Sequence, residues 1–294
     1  RTLAYVLLVN RVAVVAAKRT PIGKIPGELN YIGETDLLAD ILHAVVSAFP
    51  FCIDEAIVGS GFPIERDNLC RKALLKAGLP TTISASTVTK TCASSDEAIA
   101  IAFHKIKCGS AKAILAGGIE KVSNSPYTLH FMKNNIKRTL KKALPKYEEI
   151  KNSVLENDMA YISEALARNW NITRRMQDGF TTDSIAKALS ANGRGMFQDE
   201  IMPIAYDIDG EQHRLSEDEL LLQKRSETQI EWAEPMFIQD GTVTQYNAAP
   251  MCDCAAAMLL MDFEAALYAG IRPLAVIRTV QSIGVEKDEI GGAM

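Results

Sequence analysis

The sequence lacks most of the features that mark a specialised class of protein. Positive charge is not in excess: 32 Lys and Arg stand against 36 Asp and Glu, a formal net charge of −4 at pH 7. That balance argues against a dedicated nucleic-acid binder, which is normally basic. No apolar run approaches the ~20 residues of a membrane-spanning helix. The longest, Leu3 to Val9, has the length of a strand, so no transmembrane segment is expected. Cys252-Asp253-Cys254 has no second Cys or His pair at zinc spacing, and no metal is expected. Low-complexity tracts and internal repeats are missing. The six cysteines are even in number, but so long a chain needs no covalent staples and carries no secretory signature. A reducing, intracellular compartment is expected. What is present is ordinary: 48% hydrophobic and 23% charged residues, which excludes a disordered chain. At roughly 150 residues per domain, 294 residues suggest two domains or one large one.

Strand and helix signals alternate from the start. Val12 to Ala16 is a short apolar run suited to a doubly buried strand, and Lys18 to Gly23 is a loop. Thr35 is the expected N-cap of a helix from Asp36 to about Ala48, with Leu37, Leu38, Ile41, Leu42 and Val45 at helical spacing. Ala56 to Val58 reads as a strand, and Leu69 to Ala77 as a helix closed by Gly78. Ile83 to Val88 reads as a strand, Ala93 to Lys107 as a helix, and Ala113 to Ala116 as a strand ended by Gly117-Gly118. That succession predicts a right-handed βαβ crossover and parallel strands, hence an α/β fold.

The texture changes after Val122. Lys133, Lys137, Arg138, Lys141, Lys142, Lys146 and Lys151 form a basic stretch. It reads as a solvated face, or as a docking surface for phosphates, a membrane or a partner. Residues 123–246 are expected to form an inserted, mostly helical and loop-rich subdomain, with helices near Asp158–Trp170 and Arg174–Ala191 and a turn at Asp207 to Gly210. Strand texture returns at Ala256 to Met261. A helix from Phe263 to Ala269 and a strand from Leu274 to Ile277 follow.

Cys92 lies between a strand and the first turn of a helix. A helix N-terminus offers unpaired N–H groups and partial positive charge, which favour a thiolate and can stabilise an oxyanion. Ala93, Ser94 and Ser95 are small enough for a carbonyl substrate to approach. The bland alternative is a buried structural cysteine at a strand–helix junction.

The surroundings decide between these. Ser86-Thr87-Val88-Thr89-Lys90-Thr91-Cys92-Ala93-Ser94-Ser95 resembles the nucleophile segment of the thiolases. Val14 to Gly23 is similar to their opening strand and Arg-Thr-Pro loop, and Arg71 to Pro80 to a helix ending in Ala-Gly-Leu-Pro. Ala116 to Ser123 resembles their Ala-Gly-Gly-x-Glu-x-x-Ser turn. Thr173 to Asp178 and Phe197 to Pro203 resemble the start and end of a loop-domain helix. Gly241 to Thr244, with Asn247 and Asp253, resembles the strand and loop that re-enter the core. These matches span nearly the whole chain in the family's order.

The resemblance implies the thiolase fold, layered αβαβα. Residues 1–122, rejoined by 247–268, would form the N-terminal half, 123–246 the inserted loop domain, and 269–294 the start of a C-terminal half that is largely missing. It implies an acyl-CoA C-acyltransferase that cleaves or forms 3-ketoacyl-CoA, with Cys92 as nucleophile and an acyl-enzyme intermediate. Coenzyme A is then a substrate, and no cofactor is expected. Lys224, Arg225, Asn247, Ala249 and Met159 match positions near CoA or acyl-CoA. The family's Asn-Glu-x-Phe, Gly-His-Pro and Cys-x-Gly-Gly-Gly loops do not occur in this sequence, and His43, His104, His130 and His213 are not assigned their work.

Other positions depart from the pattern. Ala249 replaces a Ser and Cys254 a Gly, Glu234 replaces a basic residue, and Asp158 stands where many members have a His. These changes support an alternative, a thiolase-like protein that binds acyl-CoA or a partner without turnover. A ketoacyl-synthase type of condensing enzyme fits the Arg19-Thr20-Pro21 and Thr242 to Thr244 segments less well. The missing Asn three residues before Cys92 is similar to the β-subunit of the mitochondrial trifunctional complex. That favours mitochondria over cytoplasm or peroxisome, and fatty-acid metabolism. A homodimer is expected, with a hetero-oligomer as the alternative.

Overall fold

The computed structural model describes residues 10–47, 49, 53–62, 67–125, 127–130, 139–142, 159–223, 226–286 and 289. The strands are β1 (Val12–Arg19), β2 (Gly23–Lys24), β3 (Glu55–Gly59), β4 (Ser84–Val88), β5 (Ala113–Lys121), β6 (Tyr127–His130), β7 (Thr139–Lys142), β8 (Ile204–Ile208), β9 (Glu211–Leu215), β10 (Cys252–Asp262) and β11 (Ala275–Ile277). The helices are α1 (Glu34–Val46), α2 (Leu69–Lys76), α3 (Ser94–Lys107), α4 (Met159–Asn169), α5 (Arg174–Gly193), α6 (Glu227–Glu231) and α7 (Phe263–Tyr268). They divide into two compact units. The first is Arg1–Asn124, Gln198–Asp218 and Cys252–Gln281; the second is Ser125–Phe197, Glu219–Met251 and Ser282–Met294.

The first unit is built on a mixed sheet in the order β11-β1-β10-β5-β3-β4, with β2 beside β10. β3 is parallel to both β4 and β5, while β10 runs antiparallel to β1, β2 and β5. The expected β4–α3–β5 crossover therefore steps over β3 rather than joining neighbours. β3 takes the middle place because Ala56, Ile57 and Val58 are all fully buried, which a strand achieves only between two partners with both faces covered.

Side-chain alternation divides the core into two clusters. Ala13, Val15, Val58, Leu115 and Leu259 join one cluster with Leu38, Ile41 and Leu42 of α1 and Leu69, Ala73 and Leu74 of α2. Val12, Ile57, Ile114, Ala116 and Leu260 join the other with Ala98, Ala102, Phe103 and Ile106 of α3. The helix α1 starts two residues earlier than expected. Gly33, not Thr35, is its N-cap, and no side chain caps it. The buried stripe from Leu37 to Val45 fixes the helix, and Glu34 and Asp36 in the first turn complement its dipole.

Gly117-Gly118 does not end β5, which continues to Lys121. These glycines answer to crowding. A Cβ at Gly117 would stand 2.2 Å from the Ala256 carbonyl oxygen, and one at Gly118 would stand 1.9 Å from Ser95 Oγ. The hairpin β8–β9 closes at Asp209 and Gly210, both at positive φ, where the turn was expected. Its Ile204, Tyr206 and Leu215 belong to the α1–α2 cluster, so it counts with the first unit although the sequence reading set it inside 123–246.

In the second unit β6 and β7 pair antiparallel, and α4 and α5 form where helices were expected. Thr173 caps α5 by accepting the Met176 N–H at 3.3 Å. Among the described residues no helix is long and apolar enough to cross a membrane.

Candidate active site

Cys92 is a free, exposed thiol two residues before α3. The turn that carries it is strained. Thr91 has φ 49°, a left-handed conformation that a β-branched residue resists at a cost of about 1–3 kcal/mol. Local bonds hold it there. The Ala93 N–H donates to the Lys90 carbonyl at 3.1 Å, and the Ser94 N–H donates to the Thr91 carbonyl at 3.1 Å. Ser94 Oγ accepts from the Lys90 N–H at 2.8 Å and donates to the Thr91 carbonyl at 2.6 Å. Two of the helix-start N–H groups that an oxyanion could use, those of Ala93 and Ser94, are thus already spoken for within the turn.

The sheet supports this turn from below. A Cβ at Gly59, the last residue of β3, would stand 2.2 Å from the Ser94 carbonyl carbon. One at Gly61 would stand 3.0 Å from the Thr91 carbonyl oxygen. Only glycine lets the end of β3 approach so closely. Glu120 secures the loop after β3, accepting the Gly61 N–H at 2.9 Å and the Phe62 N–H at 3.2 Å. Burial raises the Glu120 carboxyl above its ordinary range; the two N–H bonds oppose that shift, and the Asp253 charge adds to it. Thr89 Oγ1 donates to the Ser60 carbonyl at 3.0 Å and ties the two loops together.

One position further along β5, Lys121 forms an ion pair with Asp253 at 2.8 Å, and both side chains are 0% exposed. Asp253 also accepts the Ser123 N–H at 3.0 Å and the Ser123 hydroxyl at 2.5 Å. A buried pair persists only when its remaining hydrogen-bonding positions are filled in this way. A lysine that ends a strand of mostly small and apolar residues was the signal for it.

Among the described residues the other cysteines differ from Cys92. Cys70 is buried in the core, and burial pushes its thiol up to about 12. Burial also raises the Cys252 and Cys254 thiols, and Cys254 accepts a hydrogen bond from Thr20 Oγ1 at 3.7 Å. Cys108 is exposed at the C-terminal end of α3, where hydrogen bonding with Ser110 lowers its thiol. Among the described residues no group of three or more His, Cys, Asp or Glu could hold a metal ion.

Of the positions matched to CoA contacts, Met159, Asn247 and Ala249 lie in the second unit. Met159 is the exposed first residue of α4, and Ala249 is exposed in the loop before β10. Asn247 is committed to its own loop. Its amide oxygen accepts the Thr244 N–H at 2.7 Å, and its amide nitrogen donates to the Thr242 carbonyl at 2.9 Å and to Asp178 at 3.2 Å. Lys224 and Arg225 lie outside the described residues. A cleft of about 570 Å³ opens nearby in sequence, lined by Trp232, Glu234, Pro235, Met236, Gln245 and Tyr246.

Sequence reasoning missed Glu164. This buried carboxylate of α4 accepts the Thr242 N–H at 2.8 Å, the Val243 N–H at 2.8 Å and the Thr242 hydroxyl at 2.9 Å. An acidic residue on the buried side of an amphipathic helix was its only trace in the sequence.

Comparison with known proteins adds a second line. The model of the family described as "Thiolase, N-terminal domain" matches residues 12–264. A "Probable acetyl-CoA acyltransferase" of Staphylococcus aureus (strain COL) is 33% identical over 288 residues, covering 96% of this chain and 73% of that protein. The crystal structure of the Bacillus anthracis acetyl-CoA acetyltransferase matches with TM-score 0.83 and 30% identity, over 91% of this chain and 69% of that one. Human mitochondrial 3-ketoacyl-CoA thiolase matches with TM-score 0.82 and 28% identity, over 92% of this chain and 70% of that one.

Proposed function

The chain belongs to the thiolase family as a thiolase-type acyltransferase, and from that premise we propose that it moves acyl groups between 3-ketoacyl-CoA and CoA through a thioester on Cys92. One observation carries the mechanism: an exposed thiol stands at the start of α3 on a strained turn clamped by its neighbours. Strain of this kind persists where the surrounding structure over-determines it, and such places cluster at reactive sites.

The steps follow from the chemistry of a thiolate. Cys92 adds to the 3-keto carbon. The bond between C2 and C3 breaks, its electron pair goes to C2, and the departing acetyl-CoA takes up a proton there. The acyl group remains on Cys92 as a thioester. The thiolate of a second CoA adds to that thioester and expels Cys92, which is ready for another cycle. The chain's own contribution, on this reading, is a preset nucleophile position, so that little reorganisation is needed as the bond forms.

For the CoA moiety we retain Met159, Ala249 and, outside the described residues, Lys224 and Arg225. Asn247 has a changed role. Both its amide hydrogens are donated within the protein, so it acts by shaping the 242–249 loop. The test is intact-mass and peptide analysis after incubation with acetoacetyl-CoA. An acetyl adduct on Cys92, absent in Cys92→Ala, is expected. A chain that binds CoA by calorimetry but forms no adduct would replace this reading with one of binding without turnover.

A further inference from the structure

Ser94 is the first residue of α3, and its side chain is almost fully buried, at 2% exposed. Its hydroxyl takes no part in capping the helix, whose N-cap Ala93 makes no side-chain bond. It points back into the preceding turn instead. There it joins the Lys90 N–H at 2.8 Å to the Thr91 carbonyl at 2.6 Å, closing a ring across the one residue of the turn with positive φ. The other side of that turn is fixed by backbone: the Ser94 carbonyl carbon sits against Gly59 and the Thr91 carbonyl against Gly61.

We propose that Ser94 is a positioning residue for Cys92: its hydroxyl holds Thr91 in the left-handed turn and so fixes where the thiol stands. This rests on the reading of Cys92 as nucleophile and names what aims it. The helix has no need of the hydroxyl, because Ala98, Ala102, Phe103 and Ile106 bury its stripe. Losing the hydroxyl therefore releases the turn and leaves the helix seated. Thr91, β-branched, then relaxes from positive φ, and Cys92 moves with it. Glycine at position 91 has no such preference and would keep the turn without the clip.

The test uses the 294-residue chain carrying Cys108→Ser, which removes the other exposed thiol of α3's environment. Iodoacetamide labelling of Cys92 is followed by peptide mapping as a function of pH. Ser94→Ala is expected to slow labelling on the order of tenfold and to shift its pH profile, as misplacement of a reacting group does. The double variant Ser94→Ala/Thr91→Gly is expected to recover the parent rate and profile. A side chain that merely filled space would not be rescued by glycine three residues away.

Parent-like labelling of Ser94→Ala overturns the proposal, and so does a double variant that stays slow. Should Ser94→Ala fail to fold, the double variant decides alone. Labelling needs no turnover. If no acyl adduct forms on Cys92 from acetoacetyl-CoA, the functional reading falls, while the labelling ratio still reports whether Ser94 aims the thiol.

Discussion

The helix α3 and the 20-residue α5 are held by different forces. α3 buries Ala98, Ala102, Phe103 and Ile106 against the sheet. α5 buries none of its residues and exposes Met176, Phe180 and Leu189. Side-chain hydrogen bonds hold it instead. Arg174 pairs with Asp178 at 2.6 Å and donates to the Ile230 carbonyl at 2.8 Å, and Gln177 donates to Thr242 Oγ1 at 2.8 Å. The contrast extends to the two units. The first rests on apolar packing beneath a sheet, and the second relies on polar clips such as Glu164 on the 242–243 backbone. A strained turn is sustained where backbone closes in beneath it, as Gly59 and Gly61 do under the exposed Cys92.

The contrast can be broken from its strongest side. Phe103→Ala empties a site only 3% exposed under α3 and should cost about 3–5 kcal/mol in a urea unfolding curve. A loss below about 1 kcal/mol would show that apolar packing is not what seats α3. Next comes Glu164→Ala, which leaves the Thr242 and Val243 N–H groups without their carboxylate. About 1–3 kcal/mol is expected, with faster hydrogen exchange at those two amides. Unchanged exchange there would remove the polar-clip account of the second unit. Thr173→Ala takes away the α5 cap and should cost about 1 kcal/mol, read as reduced helicity and an earlier thermal transition. Phe180→Ala should change stability by no more than about 0.5 kcal/mol, since the ring is 77% exposed. A cost as large as that of Phe103→Ala would mean that α5 is covered after all.

Much of the first unit was legible in the sequence. Buried strands showed as β-branched and small apolar runs and α1 as a periodic stripe, because burial on one face leaves a regular trace, and α2 showed by the glycine that closes it. Cys92 was legible as the residue entering a helix. Gly117 and Gly118 were misread as a strand end, because glycine's local signature is the same whether it stops a strand or admits a neighbour. Only Ala256 and Ser95, distant in sequence, show which applies. Asn247 carried a motif identity but not its hydrogen-bond partners, which lie at Thr242, Thr244 and Asp178.

The sequence by itself determined where the main helices and most core strands of the first unit lie, which family the chain resembles, and which thiol to suspect. Those properties depend on residues a few positions apart. Only the tertiary structure decided that β3 lies between β4 and β5, that Gly59 and Gly61 abut the Cys92 turn, and that Ser94 closes it. Close approach and hydrogen bonding act through space between residues that the chain separates, and pattern along the chain does not record them.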